Sequence, residues 1–289
     1  MVRQVYLHIG GHKTGSTSIQ AALNGYDDGD CFYAQLGWKN HSIPLYVAFS
    51  QQGHQHHGLL RRGYTADQIE ALRLQTLESL GVQLNRPDRR AIILSGEDLS
   101  SLAAADIASL CGFLQAGGRS VQVIAYAREP LEYAASACQQ VIKGGATQMP
   151  DRFSQGWRHV LEAYCQAIGR EAVLVRPFAV RQLQNQCVVQ DFCKQLNIPT
   201  SGLQIRSRNV SLTAPAVQIL HHLNTTSPLQ FGDPQLVRTR ARLIRLLRSL
   251  FAGANRLDPD LLRSRADEDD RLYLAEAFGI HLQPINPDQ

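Results

Sequence analysis

The sequence predicts an α/β fold in which a mostly parallel sheet is covered by helices on both faces. Three observations lead there. Short apolar runs recur at Val5–Ile9, Ala91–Leu94, Val121–Ala127 and Ala172–Val175, and segments with helical spacing lie between them. The first run leads straight into a glycine-rich turn and then a helix. No repeat, low-complexity tract or linker divides the 289 residues, which favours a single domain over 1–289 whose stretch from about 214 is a helical C-terminal extension.

Taken in order, Val5–Ile9 reads as a buried strand, 10–15 as a turn and Ser16–Leu23 as a helix with apolar positions 19, 22 and 23. Residues 25–64 mix Gly, Asp, Asn, His and aromatic side chains without a clear period and read as irregular. Ala66–Leu80 is helical, Ala91–Leu94 a second strand ending in Ser95-Gly96-Glu97-Asp98, and Ala103–Leu114 a helix. Val121–Ala127 is a third strand. It leads through Arg128-Glu129 to Pro130, which suits the first turn of a helix running to about Val141. Residues 157–168 form a helix, Ala172–Val175 a fourth strand and 188–196 a helix. Helix dominates beyond 214, and Gln235–Ala252 is its longest segment.

Composition narrows the function classes. With 44% hydrophobic and 19% charged residues the chain can bury a full core, and it does not resemble a disordered polymer. A net charge of +4 suits an anionic ligand without calling for nucleic acid. No apolar run reaches 18 residues, and Val5 is followed too soon by glycine for a secretion leader, so a cytoplasmic protein without a membrane span is expected. The six cysteines form no CxxC pair and read as reduced thiols. The histidines at 54, 56 and 57 lack the spacing and partners of a metal site, so no metal is expected and a polar loop rimming a cleft is the better reading. Trp38, His41, Ser42 and Tyr46 share that region. Arg238, Arg242, Arg245 and Arg248 line one side of Gln235–Ala252, as on an amphipathic helix with a solvated basic face.

The chemistry concentrates at Gly10-Gly11-His12-Lys13-Thr14-Gly15-Ser16-Thr17. A nucleoside-triphosphate loop reads G-x-x-x-x-G-K-S/T; here Gly10, Gly15 and Thr17 keep that spacing, but the lysine has moved back to position 13. The anion-binding physics survives the move: backbone amides after a tight turn converge, the helix dipole adds to them, and the hydroxyls of Thr14, Ser16 and Thr17 are at hand. No strand ends in the acidic residue that a magnesium-dependent kinase or NTPase uses, which counts against that alternative.

The stretch L-H-I-G-G-H-K-T-G-S-T-S-I-Q resembles the 5′-phosphosulfate loop of the PAPS-dependent sulfotransferases, especially bacterial carbohydrate-type members. The resemblance implies a P-loop-like three-layer α/β sandwich, 3′-phosphoadenosine 5′-phosphosulfate as sulfate donor, and a hydroxyl acceptor, expected on a saccharide or glycolipid. It places Lys13 at the bridging oxygen and wraps Gly11, Thr14, Gly15, Ser16 and Thr17 around the 5′-phosphate. His12 stands where many relatives have proline. The family reads the 3′-phosphate with an arginine and a serine eight residues later, which fall on Arg128 and Ser136 in V-I-A-Y-A-R-E-P-L-E-Y-A-A-S. Arginine suits a phosphate because its planar fork donates two parallel hydrogen bonds. Softer likenesses run through V-L-V-R-P-F, D-F-C-K-Q-L-N-I and Asn209-Val210-Ser211-Leu212, so the similarity spans about residues 5–225; Arg208 is a candidate nucleotide contact. For the general base two candidates stay open: Glu97, just past a strand end, and His12, beside Lys13. A helix-capping role is the structural alternative for Glu97.

Overall fold

The computed structural model describes residues 2–205, 211–227, 234–255 and 257–283, of which 234–237 are described by their backbone alone. Arg206 and Arg208, with Asn209 and Val210, lie outside the described residues. The chain divides into two compact units: Met1–Arg128, Gly156–Arg208 and Tyr273–His281 form one, and Glu129–Gln155, Asn209–Leu272 and Leu282–Gln289 the other.

The first unit holds a five-stranded sheet built from β1 (Gln4–Gly10), β2 (Cys31–Tyr33), β3 (Ala91–Ser95), β4 (Ser120–Ala127) and β5 (Val173–Pro177). The order is β2-β3-β1-β4-β5 and every pairing is parallel, so the sheet is fully rather than mostly parallel among the described residues. Consecutive buried apolar residues make these strands: Ile92, Ile93 and Leu94 in β3, and Val123 to Ala127 in β4, lie out of solvent on both faces. One face packs on α1 (Ser16–Leu23) and on α8 (Val188–Leu196) through Ile19, Leu23, Val189 and Phe192 against Ile93, Ile124 and Tyr126. Alternation sends Ile92, Leu94, Val123 and Ala125 to the other face.

The segment 25–64 read as irregular contains β2, α2 (Ser42–Phe49) and the short α3 (His57–Leu60). The strand β2 escaped the periodicity reading because it is three residues long and follows a run of Asx turns, in which Asp28 accepts from the amides of Asp30 and Cys31. Then come α4 (Ala66–Leu84), opened by a capping box between Thr65 and Gln68, and α5 (Ala104–Gln115). In the first unit α7 (Trp157–Ile168) and α8 (Val188–Leu196) match their predicted bounds.

The second unit gathers α6 (Pro130–Lys143), α9 (Ala214–Thr226) and α10 (Pro234–Leu250) around Leu131, Ala134, Leu212, Leu220 and Leu247. The last helix, α11 (Glu268–Phe278), starts in the second unit and ends in the first. On α10, Arg238, Arg242 and Arg245 are exposed as the pattern predicts, whereas Arg248 is half-buried. Arg240 does something the pattern did not suggest: it donates to the carbonyl oxygens of Ile142 and Lys143, closing the C-terminus of α6. No helix among the described residues is long and apolar enough to cross a membrane. All six cysteines are free thiols.

Candidate active site

The parallel order puts the carboxyl ends of β3, β1 and β4 side by side, where open α/β sheets bind ligands. From β1 the chain enters the glycine-rich turn, from β3 it enters Gly96-Glu97, and β4 ends at Arg128. Register fixes the depth: His8 is level with Ser95 on β3 and Ile124 on β4.

The turn is possible only with its glycines. Gly11 has φ 115°, and a side chain there would run into the carbonyl oxygen of Tyr126 and stand 3.0 Å from the Trp157 ring. Gly15, at φ 80°, is the N-cap of α1, and a Cβ would meet Val188 at 2.9 Å. Lys13 also has a left-handed backbone, φ 67°, a conformation a lysine adopts only when its surroundings impose it. One surrounding constraint is visible: Arg128 Nη1 donates to the Lys13 carbonyl oxygen at 3.1 Å.

The hydroxyls divide into two kinds. Thr14 is fully buried and donates to the Gly11 carbonyl oxygen at 2.5 Å, so in this structure its hydroxyl braces the loop. Ser16 Oγ is buried without a hydrogen-bond partner in this structure, and Thr17 is exposed. Ser16 and Thr17 also open α1, where first-turn amides have no intrahelical acceptor. An orphaned hydroxyl, open amides and a cradle too tight for any side chain fit a small oxyanion such as a phosphate.

Charge points the same way. Burial lowers the Lys13 pKa below the ordinary lysine range, the neighbouring Arg128 lowers it further, and Glu97 opposes them. Two cations in mutual electrostatic reach are relieved by an anion between them. The Arg128 guanidinium also lies over the Phe178 ring at 5.7 Å.

Glu97 and His12, read separately from the sequence, are brought together: His12 Nδ1 stands 3.5 Å from Glu97 Oε2. Hydrogen bonding to Glu97 raises the imidazole pKa; burial and Lys13 oppose this, while the charges of Glu97 and Asp98 reinforce it. The turn over Glu97–Ser101 has Gly96 as its N-cap and no side-chain cap, so the carboxylate faces the imidazole instead of closing a helix end. Ser136 lies on α6 in the second unit, whereas Arg128 ends a segment of the first.

Several participants were not legible beforehand. Beneath the loop, His8 Nδ1 lies 2.8 Å from Ser95 Oγ, and Gln20 donates to the same hydroxyl at 3.3 Å. His41, grouped by sequence with acceptor loops, is wholly buried; its Nδ1 accepts from the Ser95 amide and its Nε2 donates to the Ala34 carbonyl. It is a structural residue. Arg176 and Asp191, carried by the V-L-V-R-P-F and D-F-C likenesses, form an ion pair at 2.8 Å, and the Tyr126 hydroxyl donates to the same carboxylate. Burial pushes Asp191 up, but its hydrogen bonds to Arg176 and Tyr126 outweigh it and hold the carboxyl below its usual range. Spacing in the sequence carries no signal for such cross-element pairs.

A parallel-sheet α/β fold with a glycine-rich turn at the sheet's carboxyl edge defines the class of this chain. No protein-family model matches it, and no curated protein does. Among solved structures it is similar to a sulfotransferase from Alicyclobacillus acidocaldarius, at 15% identity and a TM-score of 0.41 over 91% of this chain and 100% of that one. It is also similar to the sulfotransferase domain from the curacin biosynthetic pathway, at 13% identity and a TM-score of 0.40 over 98% of this chain and 99% of that one.

Proposed function

We propose that the chain transfers a sulfuryl group from 3′-phosphoadenosine 5′-phosphosulfate to a hydroxyl on a saccharide or glycolipid. The observation that carries this reading is that Arg128 holds the Lys13 carbonyl in the glycine-rich turn and lies in electrostatic reach of the Lys13 ammonium, with the Glu97–His12 pair beside the turn. The first half suits a phosphosulfate and the second suits an acceptor that must lose a proton. The spelling K-T-G-S-T, with its lysine ahead of the second glycine, supports a sulfate donor over a nucleoside triphosphate.

In the proposed reaction the acceptor oxygen bonds to sulfur as the bond from sulfur to the bridging phosphate oxygen breaks. The electron pair of that bond stays on the phosphate, giving adenosine 3′,5′-bisphosphate, and the acceptor proton passes to Glu97. Lys13 balances the charge that develops on the leaving oxygen, and the loop amides hold the 5′-phosphate. Arg128 reads the 3′-phosphate with its planar guanidinium. His12, whose charged form Glu97 favours, orients the carboxylate. A P-loop kinase is the alternative the same test addresses.

Ligand-dependent melting tests the reading. At a hundredfold excess over its Kd, adenosine 3′,5′-bisphosphate should stabilise the chain by about 2.7 kcal/mol. Adenosine 5′-phosphate should stabilise it less and ATP with Mg²⁺ not at all, and labelled sulfate should transfer from the donor in the presence of EDTA. Stabilisation by ATP with Mg²⁺ but not by the bisphosphate would sink the sulfuryl reading.

A further inference from the structure

A cavity of about 330 Å³ in the first unit is lined by Tyr46, Gln52, Gln55, His56, His57, Asp98 and Ser101. Two of those residues, Asp98 and Ser101, belong to the same short turn as Glu97. The charge of Asp98 acts on the His12 ring from one side and on His56 from the other, with Asp98 Oδ2 3.9 Å from His56 Nε2. The cavity wall therefore reaches the proposed proton acceptor within one residue of chain.

The chemistry of the wall selects among acceptors. Its lining holds one carboxylate and no lysine or arginine. His56 is buried, and that burial disfavours its charged form. Arg62 lies within electrostatic reach of His56 but stacks over Trp38 at 5.4 Å and does not line the cavity. An anionic acceptor would meet Asp98 with no lining cation to answer it. Most of the wall is made of groups that donate or accept hydrogen bonds: two carboxamides, two imidazoles, a hydroxyl and the carboxylate. Its ring surfaces are Tyr46, edge-on to His56 at 5.4 Å, and His57, stacked on His56 at 5.2 Å. A flat phenol needs apolar walls on both faces. A sugar needs many short-range polar partners and a ring edge to rest on.

We infer that this cavity is the acceptor subsite and that it takes an uncharged saccharide, with Asp98 accepting hydrogen bonds from sugar hydroxyls and Gln52 and Gln55 completing the contacts. The inference rests on the sulfuryl-transfer reading and narrows it. Its test does not depend on turnover. Saturation-transfer NMR, with adenosine 3′,5′-bisphosphate present, would measure binding of neutral trisaccharides of glucose, galactose and N-acetylglucosamine and of matched uronic-acid trisaccharides. At least one neutral trisaccharide should bind in the millimolar range or tighter and its uronic counterpart at least tenfold more weakly. Asp98→Asn and Gln52→Ala should each weaken that binding by about tenfold while leaving the bisphosphate-induced melting shift unchanged. No neutral trisaccharide binding by 10-fold above the millimolar range, uronic acids binding equally well, or full-strength binding by both variants would overturn the assignment. The melting shift is recorded on the same samples. Its absence would overturn the donor reading, while its presence without saccharide binding would overturn only the acceptor subsite.

Discussion

Pairing with Glu97 keeps the His12 imidazole protonated to higher pH, and this gives the two candidate bases opposite pH profiles. If Glu97 takes the proton, the imidazolium beside it must be present, so turnover falls as pH rises through the raised His12 pKa. If His12 takes the proton, it must first be deprotonated, so turnover climbs over the same range. The sign for stability follows the first case: a histidine whose folded pKa lies above its ordinary 6.5 contributes fully below 6.5 and loses that contribution as pH rises through the folded value. Glu97→Gln is expected to cut turnover about a hundredfold with bisphosphate binding and melting temperature nearly unchanged. His12→Asn should cut it less and flatten the fall at high pH. Turnover that rises with pH in the wild type, with little effect of Glu97→Gln, would move the base to His12. How much of this site was legible is also a matter of residues. The glycines of the turn could be read in advance because local backbone chemistry fixes their spacing, whereas Lys13 and Arg128 were singled out by the resemblance of their motifs to a family. The pairing of His12 with Glu97 could not, because 85 positions separate them and only the β1–β3 register brings them together.

A strand that turns into a helix within five residues depends on backbone conformations that only glycine adopts cheaply, and the β1–α1 connection tests how much of that cost is conformational and how much is contact. Gly11 and Gly25 both have positive φ, 115° and 84°. Around Gly25 nothing lies within 4 Å of an added Cβ, whereas at Gly11 the Cβ collides with the Tyr126 backbone and the Trp157 indole, which is 1% exposed and has no room to yield. Gly25→Ala should therefore cost about 1 kcal/mol of backbone strain. Gly11→Ala should cost about 3 kcal/mol or more and also abolish bisphosphate binding. Urea unfolding of the two variants checks the difference; equal destabilisation would mean that the close approach to Tyr126 and Trp157 is not enforced. The same contrast explains which elements could be read from the sequence. Ser16–Leu23, Trp157–Ile168 and Val188–Leu196 announced themselves by apolar spacing. The strand β2 and helix α2 did not: β2 has three residues, and α2 (S-I-P-L-Y-V-A-F) is apolar on nearly every side, so neither carries a period.

For the molecule as a whole, two buried histidines that take no part in the proposed proton transfer couple stability to pH. His8 and His41 are both 0% exposed, and burial lowers their pKa values to about 3 and about 4. Both are neutral when folded and take up protons near 6.5 when unfolded. Their folded values are depressed, so the unfolded chain binds more protons below 6.5; the stability they contribute is complete above 6.5 and drains away as pH falls toward 4 and then 3. Each excess proton is worth about 1.4 kcal/mol per pH unit, so the pair predicts a slope of about 2.7 kcal/mol per pH unit between roughly pH 5.5 and 4.5. Asp191, held below its usual range, adds to the loss only at the acid end. His12 acts in the opposite sense but is 42% exposed, so solvent screens its share. The two tryptophans, Trp38 and Trp157, lie in the same unit as His8 and His41, so their fluorescence reports the unfolding of that unit alone. Urea titrations followed by tryptophan emission at several pH values should show an uptake of about two protons on unfolding at pH 5, and His8→Asn should reduce it to about one. Stability that stays flat from pH 7 to 4.5, or an uptake that His8→Asn leaves untouched, would show that His8 is not held neutral beneath the loop.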